Sequence, residues 1–142
     1  MKHGVIVDTG PLVALLNRSD THHAWVVQQL REIQPPMLTC EAVLAEATYL
    51  TRQTSGARAA LLEMLAEGFL NIGIAVADQH SALLTMIRRY ADVPMSLADA
   101  CLVRLCEMHP QSPVLTLDSD FTVYRKNGRH VIEVLCPSRF GK

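Results

Sequence analysis

The chain is poor in the features that mark several large classes of protein. Aromatic residues make up 5% of its 142 positions, with a single tryptophan, so a surface that stacks single-stranded bases on aromatic platforms is not supported. No apolar run approaches the roughly 20 residues that span a bilayer; the longest aliphatic stretch covers residues 12–16. Asp8 interrupts the N-terminal segment where an export signal would carry its apolar stretch. The four cysteines (Cys40, Cys101, Cys106 and Cys136) show no Cys-x-x-Cys spacing, and a domain large enough to bury a core has little need of a disulfide framework. Reduced thiols in a cytoplasmic protein are expected, with Cys101 and Cys106 packing as small hydrophobes. Excess charge of one sign is missing too: 13 Lys and Arg stand against 14 Asp and Glu. No overall positive field exists to drive non-specific nucleic-acid binding, although an average hides local patches. A Gly-rich phosphate loop, a nucleophilic-serine elbow and a His-x-x-x-His zinc pair are all lacking.

What remains is a core-forming chain. At 49% hydrophobic and 19% charged it is not a disordered composition, and its length fits one domain over residues 1–142. Short apolar runs alternate with helical patterns. Strands are expected at 5–7, 37–39, 70–74, 114–116 and 131–134. Helices are expected at 12–18, 22–33, from 39 or 40 to 53, then 56–67, 78–90 and 96–108, on hydrophobic period and cap signals. This alternation predicts an α/β sandwich around a mostly parallel sheet.

In such sheets ligands gather at the carboxyl ends of strands, and two acids stand there. Asp8 follows the first apolar run and Asp118 follows Val114-Leu115-Thr116-Leu117, with Asp120 two residues on. Helix capping is a competing reading for each, but it does not explain why both directly follow hydrophobic strands. Two more acids lie on helices. Val43, Ala47 and Leu50 form one face of the third helix, which puts Glu46 at the edge of the buried face and Glu41 in solvent. Asp99 borders the stripe of Ala98, Cys101, Leu102 and Leu105, and Ser96-Leu97-Ala98-Asp99 also reads as a capping box. If these acids converge they cannot all stay ionised without a cation. An all-oxygen cluster prefers Mg2+ or Mn2+ to zinc and suits phosphoryl chemistry. An aspartyl-phosphate phosphatase, the alternative for Asp8-Thr9, needs a second Asp where Gly10 stands.

The ordered set Val7-Asp8-Thr9-Gly10-Pro11-Leu12, Ala45-Glu46-Ala47, Ser96-Leu97-Ala98-Asp99-Ala100 and Leu115-Thr116-Leu117-Asp118-Ser119-Asp120-Phe121 resembles a PIN domain, most of all the VapC-type ribonuclease toxins. The resemblance covers essentially the whole chain. It implies a three-layer α/β/α sandwich and Mg2+- or Mn2+-dependent cleavage of RNA. Asp8, Glu46, Asp99 and Asp118 would then be catalytic, with Asp8, Asp99 and Asp118 on the metal. Thr9 and Thr116 match hydroxyl positions that support the acids, and Asp120 is an outer member or an ordinary first-turn residue. The family also implies a homodimer and a small antitoxin partner; an RNA-processing nuclease and a non-catalytic binding scaffold are the alternatives. Arg125, Lys126 and Arg129 lie in a basic turn that reads either as a solvated loop or as a phosphate-binding rim. Without the five candidate acids the chain has nine acids against thirteen bases, and the bases after Phe121 include Arg139 and Lys142.

Overall fold

The computed structural model describes residues 1–137; Arg139 and Lys142 lie outside the described residues. Five short strands form one parallel sheet: β1 (Ile6–Val7), β2 (Met37–Thr39), β3 (Leu70–Ile72), β4 (Val114–Leu115) and β7 (Val134–Leu135), in the order β3-β2-β1-β4-β7. Six helices flank it: α1 (Thr9–Leu16), α2 (His23–Leu30), α3 (Glu41–Leu50), α4 (Ala57–Ala66), α5 (Val76–Arg89) and α6 (Leu97–Met108). α1 packs on α2, α3 and α4, while α5 packs on α6 and α6 lies against β1 and β2. The architecture is the expected α/β sandwich. β1 and β4 read as unbroken apolar runs because both faces are covered: Val5, Ile6, Val7, Val114 and Leu115 are all completely buried. Cys101 and Cys106 are buried in α6 within the same core.

The strand order decides where a site can form. β1 is paired to β2 on one side and to β4 on the other, so the order of connection reverses between β1 and β4. The crevice beyond the carboxyl ends of strands at such a reversal is the usual ligand position in open α/β sheets. Asp8 and Asp118 follow these two strands.

Several boundaries differ from the sequence expectation, each for a local reason. α1 begins at Thr9 rather than after Pro11, because Asp8 already caps it; Pro11 still lies in the first turn, where its missing N–H costs nothing. α2 ends at Leu30, well before Pro35-Pro36, as the chain turns to bridge Lys2 with Ile33. The single strand expected at 131–134 is two elements. β6 (His130–Val131) pairs antiparallel with β5 (Arg125–Lys126), and β7 then joins the main sheet. Asn127 and Gly128, at φ 53° and 77°, make the tight turn that this hairpin requires. Val131 is 69% exposed and Ile132 is 3% exposed, so the chain crosses from surface to core between the two strands. The central sheet itself is wholly parallel.

Candidate active site

Each candidate acid owes its place to a backbone feature as well as to its charge. Asp8 leaves β1 in extended conformation and its Oδ1 accepts the Thr9 N–H at 2.7 Å, capping α1. Asp118 likewise caps a short 3-10 turn (Ser119–Thr122) by accepting the Asp120 N–H at 2.9 Å. Asp99 is the third residue of α6 and completes a capping box: Ser96 Oγ accepts its N–H at 3.0 Å, and its Oδ2 accepts the Ser96 N–H at 3.3 Å. Capping and site-building are therefore one arrangement here. Helix starts carry unpaired N–H groups and a positive dipole end, which favour an anion in the first turn.

The five acids Asp8, Glu46, Asp99, Asp118 and Asp120 line a single cleft of about 630 Å³. Gly10 lies against Leu117, and a Cβ there would meet the Leu117 side chain at 3.2 Å; the bare backbone lets α1 close up to the segment that carries Asp118. Two hydroxyls tie the acids together. Thr116 Oγ1 donates to Asp8 Oδ2 at 2.7 Å and accepts the Asp118 N–H at 2.9 Å. Thr9, whose N–H serves Asp8, donates its hydroxyl to Glu46 Oε1 at 2.6 Å. Thr9 and Thr116 are buried, and the Thr116–Asp8 contact is shielded from water.

Glu46 departs from expectation. It is exposed at the mouth of the cleft rather than half-buried, because that side of α3 overlooks the opening instead of another helix. Glu41 is exposed, as the helical periodicity requires. Asp20 and His22 share the cleft; Asp20 Oδ1 accepts the His22 N–H at 2.8 Å, which turns the chain into α2. Asp20 carried no signal in the sequence beyond its turn. Tyr124 was also silent there: it is fully buried and its hydroxyl donates to Asp99 Oδ2 at 2.9 Å.

The basic turn lies apart from the residues that line the cleft. The Arg125 guanidinium donates to the carbonyls of Thr122, Val123 and Tyr124, and Lys126 Nζ donates to the Pro110 carbonyl at 3.1 Å. Arg129 is exposed. The hairpin is fastened to α6 by Glu107, which accepts from the Asn127 N–H and from Arg104.

The electrostatics of the cleft are those of crowded carboxylates. Burial pushes Asp8 up from the usual 3.8 to about 6; hydrogen bonds from Thr116 and Thr9 oppose this, and Asp99 and Asp118 add to it. Asp99 is also raised, first by burial and then by Asp118, against the hydrogen bonds from Tyr124 and Ser96. Asp120 is raised by burial, then by Asp118 and Asp99. The ion pairs found among the described residues, Lys2–Glu32 and Arg104–Glu107, involve none of these acids. Carboxylates that lift one another's pKa in this way fit a hard divalent cation, which relieves both burial and repulsion. Among the described residues no three His, Cys, Asp or Glu side chains are gathered tightly enough to form a complete ligand group by themselves.

Residues 5–127 match the PIN domain family. Ribonuclease VapC26 of Mycobacterium tuberculosis (strain ATCC 25618 / H37Rv) is 31% identical over 119 residues, covering 80% of this chain and 86% of that protein. The crystal structure of Mycobacterium tuberculosis VapC20, described as a sarcin-ricin loop cleaving toxin, shares the fold with a TM-score of 0.74 at 21% identity, covering 84% of this chain and 93% of that one. The length of the match, together with the acids at the sheet's point of reversal, shows that the chain belongs to the PIN domain family.

Proposed function

We propose that this chain is a single-domain, Mg2+- or Mn2+-dependent endoribonuclease and the toxin of a toxin–antitoxin pair, acting in the cytoplasm. The observation that carries the reading is the convergence of Asp8, Glu46, Asp99 and Asp118, from four separate parts of the fold, on one cleft. The name of the 31% identical relative, a ribonuclease, supports RNA as substrate.

Asp8, Asp99 and Asp118 would hold the cation. When bound, such an ion stabilises charge on the scissile phosphate and makes water a better nucleophile near neutral pH. The protein's own part is orientation and proton handling. Thr116 fixes Asp8 and Asp118 relative to each other, and Thr9 holds one oxygen of Glu46 so that the other can accept a proton from the attacking water. Asp120 supports Asp118 from the same turn. Arg125, Lys126 and Arg129 are proposed to meet the RNA backbone beyond the cleft, with Arg129 the most exposed to it. Exposed Tyr49, Leu50 and Leu62 on α3 and α4 offer apolar surface for a homodimer or a small antitoxin.

Incubating the purified protein with structured RNA and Mn2+ should give cleavage that EDTA stops and fresh Mg2+ or Mn2+ restores. Cleavage indifferent to EDTA, or none with either metal, would sink the reading. A finer prediction concerns Thr9→Val, which keeps the shape of the side chain but frees Glu46. Turnover under saturating metal should fall about tenfold while circular dichroism stays unchanged; turnover equal to wild type would show that Glu46 needs no holding.

A further inference from the structure

Tyr124 is fully buried and does not line the carboxylate cleft, yet its polar end reaches the cleft from behind. Its hydroxyl donates to Asp99 Oδ2 at 2.9 Å. The ring is held edge-on by Tyr90 and by Phe121, with centroids 5.3 Å away in each case and interplanar angles of 72° and 90°. Both neighbours are anchored in turn. The Tyr90 hydroxyl accepts the Arg125 N–H at 2.9 Å, and Phe121 belongs to the 3-10 turn capped by Asp118. A phenol clamped in this way has no freedom to follow a moving carboxylate; the carboxylate must come to it.

Asp99 Oδ2 also accepts the Ser96 N–H at 3.3 Å, so two donors fall on one oxygen. That arrangement fixes the plane of the carboxylate and makes Oδ1 the oxygen a cation would take. We infer that Tyr124 is a positioning residue for the metal centre, holding Asp99 in its ligating orientation without touching metal or RNA. The inference rests on the metal-dependent reading above. Partners behind a ligating group commonly set its orientation, and their loss weakens metal binding even though the ligand itself remains.

The test is Tyr124→Phe, which keeps the ring and its packing and deletes only the donor. Mn2+ binding to the RNA-free protein, followed by calorimetry, should weaken about 10–100-fold. Tyr90→Phe is the control: it removes a hydroxyl from the same aromatic cluster, one that does not reach Asp99, and should leave Mn2+ affinity within about twofold. Equal Mn2+ binding by Tyr124→Phe and wild type overturns the inference and leaves the nuclease reading standing. Equal losses in the two variants overturn it as well, since packing alone would then account for both. A wild-type protein that binds no Mn2+ overturns both readings. If Tyr124→Phe does not fold, nuclear magnetic resonance of the wild type decides. The Tyr124 hydroxyl proton should be protected from exchange and should shift as Mg2+ is titrated in, and a resonance unmoved at saturating Mg2+ overturns the inference.

Discussion

Asp8→Asn should abolish RNA cleavage and, in the same protein freed of metal, raise the melting temperature. The first effect follows from removing a ligand charge at the centre of the cleft and should be on the order of a thousandfold in turnover. The second follows from the rise of the Asp8 pKa from 3.8 to about 6, which costs the folded state at most about 3 kcal/mol when the group is ionised. Asparagine keeps an oxygen for the Thr9 N–H and carries no charge, but its NH2 takes the place of the oxygen to which Thr116 donates, which holds the gain below that ceiling. For a chain of this length the gain corresponds to about 3–10 °C.

The pH dependence has a definite sign. The folded state binds the Asp8 proton more tightly than the unfolded chain does, so wild-type stability falls as pH rises from about 4 to about 6. The advantage of Asp8→Asn should therefore be full at about pH 7.5 and largely gone at about pH 3.5, values on either side of that window. Added Mg2+ should stabilise the wild type and not the variant. Thermal melts in EDTA at the two pH values check all of this; a variant that melts below wild type at pH 7.5 would show that Asp8 is not under electrostatic stress.

Thr116→Val carries the other large effect, this time on stability and activity together. Its hydroxyl is completely buried, donates to Asp8 and accepts from the Asp118 N–H. Valine matches the shape but leaves a buried carboxylate short of a donor and an N–H short of an acceptor. The expected cost is about 2–4 kcal/mol in denaturant unfolding, with turnover lower on the order of a hundredfold. Loss of the donor also raises the Asp8 pKa further, so the pH at which activity reaches half its maximum should move upward. Thr116→Ser restores the hydroxyl and should recover most of the activity. If Val and Ser variants behave alike, the bridge between the two acids has no role.

Much of this is legible in the sequence. The central strands are buried on both faces, so they appear as unbroken apolar runs, and an acid directly after such a run is hard to place anywhere but at a strand's end. Ser96 and Asp99 announce a helix start by their spacing, and the structure shows that the same acid also faces the cleft. Other features depended on distances that sequence does not carry. A helical wheel gives the direction of Glu46 but not whether anything lies opposite, and here it opens on solvent. The basic turn at 125–130 is legible as a turn, yet a single strand over 131–134 conceals the switch from exposed Val131 to buried Ile132. Tyr124 meets Asp99 across 25 positions, and nothing local distinguishes it from an ordinary core aromatic.

The pairing of β1 with β4 bears on when the enzyme can become active. Ile6 is in register with Val114, and Thr116 reaches Asp8 across 108 positions. A chain made from its N-terminus at about 5–20 residues per second leaves a gap of about 5–20 seconds between the synthesis of Asp8 and that of Asp118. Throughout that interval β1 lacks its neighbour on one side, and the cleft lacks Thr116, Asp118 and the tyrosine behind Asp99. A nascent chain stopped just before β4 therefore holds Asp8, Glu46 and Asp99 but lacks Asp118, Asp120 and the Thr116 hydroxyl that joins two of the acids. The cleft is therefore among the last parts of the fold to be completed, closing only once β4 and the turn that carries Asp118 have been made.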